Sequence, residues 1–277
     1  MLDPTLARGA ASYLQLADRL LPGQITGFYL VGSAALGAFR PGRSDIDFIA
    51  VLDAALDRRE LRRLRVAHLG SGVRSTVRAL AAGDLALPGT CNGVYVPRSE
   101  LAKPVSRIRP AASHTGPAFN VGSAFDVNPV VWKVFHERGI ALRGPQPAEL
   151  GLDPEPHTLR KWNLDNLNGY WTRWADMAAR GQAPVKPLTP SRWVRAWGVL
   201  GAPRLHRTVA TGEVISKEEA GAYALETFGP RWKRVVDDAL AYWRGEPEPA
   251  GPAASQRLAD AGAFMREVVR SANAIGA

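Results

Sequence analysis

One stretch limits the folds open to this chain more than any other. Residues 28–52 read FYLVGSAALGAFRPGRSDIDFIAVL. Two apolar runs flank a turn-rich middle. Phe28-Tyr29-Leu30-Val31 predicts a buried strand that enters a turn at Gly32-Ser33. Asp45 to Val51 predicts a second strand, polar at its start and apolar afterwards. Side chains i and i+2 of a strand share a face, so Asp45 and Asp47 stand side by side with Ile46 turned to the core. Two carboxylates held this close repel, and a cation between them relieves the repulsion. Mg²⁺ takes one or two carboxylates plus phosphate oxygens, so the pair suits a nucleotide–metal site. Gly32 lets the backbone approach a phosphate, and the Ser33 hydroxyl and amide can donate to it. Gly-Ser alone is weak, and two aspartates at a strand start are usually a solvated strand end. The joint spacing is what carries information.

The chain has 277 residues, room for two modest domains or one large one. Apolar residues make up 46%, enough for a packed core. No apolar run approaches the roughly 20 residues of a membrane span. The N-terminal MLDPTLARGAASYLQLADRL has an amphipathic spacing (Leu6, Tyr13, Leu14, Leu16, Leu20) rather than a signal-peptide core. The single cysteine, Cys91, excludes an internal disulfide, and a cytoplasmic protein is the expectation. The net charge of +9 suits an anionic ligand such as a nucleotide, and would also suit RNA. Many of the 35 basic residues are arginines set among abundant Ala, Gly and Pro, so the charge is weak evidence for either.

Taken in order, residues 2–20 predict a helix beside the first strand, and residues 34–38 a short helix after the Gly-Ser turn. Residues 39–44 form the turn into the Asp strand, where Ser44 either contacts a phosphate or caps the turn. Residues 57–69 predict a basic helix with Leu61, Leu64 and His68 on its inner face. Its arginines read as a solvated surface, since no aromatic residues interleave them. Residues 93–97 predict a third strand, 98–101 a turn, and 104–120 a loop near the site with His114 in its middle. Residues 126–138 predict a helix with Val130, Val131, Val134 and Phe135 inward, capped by Asp126 or Asn128 and carrying Pro129 in its first turn. Ile140 to Pro145 is expected to lead out of the domain. Three prolines and several acids in residues 146–157 mark a boundary. Beyond it, helices are expected at 158–180, 190–210, 216–227, 230–244 and 254–274. Pro203 lies inside the second, and Ser216 with Glu219 forms a capping box for the third. The fold class is therefore α+β: a small mixed sheet with flanking helices over residues 1–148, then an all-α domain over 149–277.

Gly32-Ser33 followed by Asp45-x-Asp47 resembles the signature of the nucleotidyltransferase superfamily. Within it, the chain looks like the aminoglycoside 3″-adenylyltransferases. The residues that carry this are VGSAALGAF…RSDIDFIAVL, the IALRGP segment, and the run from Pro203-Arg204-Leu205-His206 to Thr211-Gly212-Glu213-Val214-Ile215-Ser216-Lys217. The resemblance implies transfer of AMP from ATP to a hydroxyl of a small molecule, an aminoglycoside-type antibiotic being the leading acceptor class. In such enzymes ATP lies between the domains, with Mg²⁺ on the two aspartates. It implies that Gly32, Ser33 and Ser44 face phosphates, that Arg204 and Lys217 reach the triphosphate, and that Tyr242 lies beside the nucleotide. Partners would be ATP and the acceptor, with no membrane, no nucleic acid and a monomeric state.

Two departures bear on the acceptor. The family's third carboxylate, its general base, falls at Asn92, which takes no proton at neutral pH. Asp84 and Glu100 are the nearest acids in sequence. In the drug-contacting helix, Val194 and Trp197 stand where an acid and a histidine are expected. Asn92 and Trp197 are thus the acceptor-side candidates. An Arg- and Trp-rich surface matches a polycationic drug poorly, so streptomycin and spectinomycin are expected to be poor substrates. The alternatives are an ATP-binding homologue with altered or lost transfer, or a transferase acting on another small molecule or on RNA.

Overall fold

The computed structural model describes residues 2–66, 68, 91–116, 118–182 and 192–275. The chain divides into two compact units, Met1–Pro156 and His157–Ala277.

The first unit is built on a six-stranded mixed sheet: β1 Ile25–Leu30, β2 Ile46–Leu52, β3 Cys91–Pro97, β4 Ala112–Thr115, β5 Ala118–Val121 and β6 Ile140–Arg143. Its order is β5-β4-β3-β2-β1-β6, and only β2 and β3 run parallel. Alternation along the strands feeds two cores. Phe28, Leu30, Ile46, Phe48 and Tyr95 pack with Leu6, Ala10, Tyr13 and Ala17 of the helix Pro4–Leu20 and with Leu64. Tyr29, Val31, Ile49, Val51, Val94 and Val96 pack with Trp132 and Phe135 of the helix Pro129–Arg138. Both helices start where short polar side chains satisfy free N–H groups. Asp3 accepts from Thr5 and Leu6, and Asn128 from Val130 and Val131, with proline in each first turn.

The basic segment is helical over 58–66 with Leu64 and His68 buried; residues 67 and 69 lie outside the described residues. Three expectations need correction. β3 starts at Cys91, because Cys91 and Asn92 pair in register with Ile46 and Asp47. Residues 104–120 are not one loop, for they include the β4–β5 hairpin, which covers the open edge of β3. His114 sits on that hairpin with no exposure, a core residue rather than a loop residue. Ile140–Arg143 does not lead outward either. It covers the free edge of β1, and Arg143 is pinned by both carboxylate oxygens of Asp18 at 2.7 Å and by the Ile25 carbonyl. The Pro-rich stretch after it holds to the first unit, since Val105 N–H donates to Asp153 and Ser106 N–H to Glu155.

The second unit is helical. A helix Leu159–Asn166 passes through a π-turn, Leu167–Trp171, into Thr172–Ala179. Arg192–Thr211 follows; Pro203 lies inside it without ending it, and residues 190 and 191 of the expected helix lie outside the described residues. Ser216 caps Lys217–Phe228 by the expected box: its Oγ accepts from Glu219 N–H, and its own N–H donates to the Glu219 carboxylate. A 3₁₀ turn at Pro230–Trp232 opens Lys233–Arg244, and Ala254–Ala274 closes the unit. Trp171, Trp174, Phe264 and Met265 fill its core. No helix among the described residues is long and apolar enough to cross a membrane.

Candidate active site

The first group of site residues is assembled by backbone geometry. β1 ends at Leu30, and Gly32–Ala35 makes a single helical turn. Gly32 has φ +56°, and a Cβ on it would lie 2.3 Å from Asp47 Oδ2, so only glycine allows the turn to close on the carboxylate. The Val31 N–H donates to the Asp47 carbonyl and locks the two segments together. Ser33 Oγ is buried with no hydrogen-bond partner among the described residues. A hydroxyl left unsatisfied beside a glycine turn is a donor awaiting an acceptor.

Asp45 is exposed just ahead of β2, and Asp47 is half-buried on it. Both bear on one neighbour. Burial, then the negative charges of Asp47 and Asp45, push the Cys91 thiol up to about 12. All donor atoms offered here are oxygens, which suits a hard divalent cation completed by phosphate oxygens. Among the described residues no set of three or more His, Cys, Asp or Glu gathers as a metal site.

Asn92 lies directly across the parallel ladder from Asp47. Its Nδ2 donates to Asp47 Oδ1 at 3.4 Å, and its Oδ1 accepts from Gly116 N–H at 3.0 Å. The side chain thus bridges the Asp47 carboxylate to the β4–β5 turn. Behind it, His114 Nε2 bonds the Tyr13 hydroxyl at 2.8 Å, and His68 stacks on the His114 ring at 4.0 Å. Burial, reinforced by His68, lowers the His114 pKa to about 3, so the imidazole is neutral and is no general acid at neutral pH.

Other candidates fall elsewhere. Ser44 is buried, and its Oγ accepts from Arg40 N–H, so it caps the turn. Glu100 lies past the far end of β3, a strand advancing about 3.3 Å per residue. It accepts from Lys103 Nζ and Arg109 N–H, and these bonds hold its pKa low. It is therefore no base for chemistry beside Asn92. Asp84 lies outside the described residues.

The second unit gathers its own group from helix faces. Arg204 Nε donates to the Ile215 carbonyl at 2.7 Å, which ties it to the segment that delivers Lys217. Lys217 opens its helix, and its ammonium lies 4.2 Å from the Trp243 ring centroid and 5.1 Å from that of Trp197. Trp197 Nε1 donates to the Tyr170 hydroxyl, and Trp193 stacks on the Trp197 ring. Tyr242 is half-buried, with the Arg192 guanidinium 5.6 Å from its ring centroid. Val194 is fully buried and faces the helical core, so it presents nothing to a ligand. Sequence reading missed Gly116, Tyr170, Trp193 and Trp243. Only the clustering of Trp193 and Trp197 four residues apart hinted at a shared helix face.

Two family models match successive parts of the chain. The nucleotidyltransferase domain matches residues 14–77, and the aminoglycoside adenylyltransferase C-terminal domain matches residues 187–269. No curated protein matches the chain. Among solved structures, the fold is similar to that of spectinomycin adenyltransferase AAD(9) from Enterococcus faecialis, crystallised with ATP and spectinomycin. The TM-score is 0.64 at 14% identity, over 96% of this chain and 99% of that one.

Proposed function

The chain is a nucleotidyltransferase of the aminoglycoside adenylyltransferase type, and from that premise we propose that it transfers AMP from ATP to a hydroxyl of a small molecule. The acceptor oxygen attacks the α-phosphorus in line, the bond to pyrophosphate breaks, and the hydroxyl proton is released. The observation that carries this reading is the Gly32 turn closed on Asp47 beside the Ser33 hydroxyl, which has no hydrogen-bond partner among the described residues. Ser33 donates to a phosphate oxygen. Asp45 and Asp47 would hold Mg²⁺, which when bound neutralises phosphate charge and polarises the reacting phosphoryl group. Arg204 and Lys217 bind the triphosphate, where two cations act more strongly on ATP than on AMP. Tyr242 borders the nucleotide.

The structural neighbour carries ATP and spectinomycin, which makes aminoglycoside-type compounds the leading acceptor class to assay. Asn92 favours a second reading, an ATP-binding homologue with altered or lost transfer. Its amide is engaged on both sides and takes no proton. A missing base term is worth about 10²–10⁴-fold, so it lowers transfer without abolishing it. Calorimetric titration with Mg-ATP, then pyrophosphate release with and without acceptors, separates the two. AMP transfer predicts Mg-dependent ATP binding and acceptor-dependent release. Tight ATP binding with no release for any hydroxylated acceptor selects the second reading.

A further inference from the structure

Lys217 follows a short connector whose path is fixed by the helix before it. Gly212 ends the helix Arg192–Thr211 at φ +77°, and its N–H donates to the Thr208 carbonyl at 2.9 Å. The chain then turns back along the last turns of that helix to Ser216, the cap of Lys217–Phe228. Two side chains lace it there. Thr208 Oγ1 donates to the Glu213 carbonyl at 2.8 Å, and Arg204 Nε donates to the Ile215 carbonyl at 2.7 Å. Residues 204 and 208 share a helix face and stand about 6 Å apart along the axis. Two residues of extended chain advance about 6.6 Å, so carbonyls 213 and 215 fall opposite them in register. Val214, between the two rungs, is buried.

The remaining ion pair on this connector is weaker. Arg207 bonds the Glu213 carboxylate, but the two side chains are 34% and 59% exposed, and water screens such a pair. Thr208 is only 3% exposed, and its hydroxyl also lies 3.1 Å from the Arg204 carbonyl. Deleting a buried hydroxyl leaves its carbonyl partner short of a donor, which costs more than losing a surface pair. Thr208 thus touches both ends of the arrangement: the backbone of Arg204 and, through Glu213, the connector that delivers Lys217.

We infer that Thr208 is a positioning residue: its hydroxyl holds the 213–215 connector to the helix and so sets where Lys217 stands relative to Arg204. The inference rests on the AMP-transfer reading only in naming a triphosphate as what the two cations receive. Thr208→Val keeps the shape of the side chain and deletes the hydroxyl, Thr208→Ala deletes it without a branched replacement, and Thr208→Ser restores it. The first measurement needs no nucleotide. The Lys217 ammonium lies 4.2 Å from the Trp243 ring centroid, so the indole ring current shifts the neighbouring ε-methylene protons upfield. NMR of the full chain with ¹³C-labelled lysine reads that shift, and Lys217→Arg assigns the peak. The shift should shrink in Thr208→Val and Thr208→Ala and be kept in Thr208→Ser. The second measurement is calorimetry. Mg-ATP affinity should fall roughly fivefold in the Val and Ala variants, the scale of one net hydrogen bond, while AMP affinity stays within about twofold. A Lys217 peak that does not move in either variant would overturn the inference, as would a lowered Tm with the ratio of ATP to AMP affinity unchanged and the peak in place. A peak that moves without any change in ATP affinity would leave Thr208 as the positioning residue and count against the triphosphate assignment instead.

Discussion

The two groups of candidate residues are positioned by different means. In the first unit, backbone does the work. A left-handed glycine, a main-chain hydrogen bond and a parallel ladder place Gly32, Asp47 and Asn92 against one another. In the second unit, side chains do it. Lys217 is set by a helix cap and by two indole faces from helices well apart in sequence. Backbone placement is stiff and leaves few substitutions tolerable. Side-chain placement spreads over several weak contacts, so loss of any one should slacken the group without dismantling it.

The sharpest test of that contrast is at the carboxylates. The double variant Asp45→Asn, Asp47→Asn should lose at least about a thousandfold in Mg-dependent turnover, the scale of several kcal/mol of lost charge stabilisation. Its circular dichroism should be unchanged, because neither side chain is a core residue. Turnover at the wild-type level would remove the metal assignment.

Lys217→Ala comes next. ATP affinity should fall roughly tenfold or more while AMP affinity falls by less than about threefold, because only the longer phosphate chain meets the ammonium. Equal, small effects measured by calorimetry would leave Lys217 as a cation packed on Trp197 and Trp243, with no phosphate to bind.

Each unit also buries a neutral histidine, which allows a like-for-like comparison under acid. His114 is lowered to about 3, mainly by burial, and His206 to about 4, by burial. His206 bonds Tyr223 and Ser271 through its two ring nitrogens, whereas His114 Nδ1 has no hydrogen-bond partner among the described residues. Unfolded histidine takes a proton near pH 6.5. Below that the unfolded state binds more protons than the folded state, so stability is full above pH 6.5 and falls as pH drops toward 4 and then 3. Thermal melts from pH 7 to 4 should flatten in His114→Asn and in His206→Gln, each by up to one proton's worth of slope. Unaltered slopes in both would mean that these rings are protonated in the folded state.

The smallest effect is expected at Ser216→Ala. Loss of the cap should cost about 1 kcal/mol of stability. ATP affinity should fall only a few-fold, because the two indoles still hold Lys217. A loss as large as that of Lys217→Ala would show that the cap, rather than the aromatic pair, places the ammonium.

The parts of this architecture that depend on neighbours in sequence are legible in the sequence itself. The Gly-Ser turn, the Asp-x-Asp strand, the capping box at Ser216 and the order of the C-terminal helices all follow from periods of two or 3.6 residues and from caps two or three residues away. The β4–β5 hairpin is not legible there, because Pro, Ser and Gly around it read as loop and its strands are short. β6 is not legible either, since four residues acquire a partner only when β1 offers a free edge. Nor does sequence show that Asn92 joins Asp47 to Gly116, that Tyr13 reaches His114 across 101 residues, or that Trp243 and Trp197 meet over Lys217. Turns and caps are settled within a few residues, where the chain itself keeps the partners together. Contacts between distant segments must offset the entropy of closing long loops, and which of them succeed is decided by the packing of the whole unit.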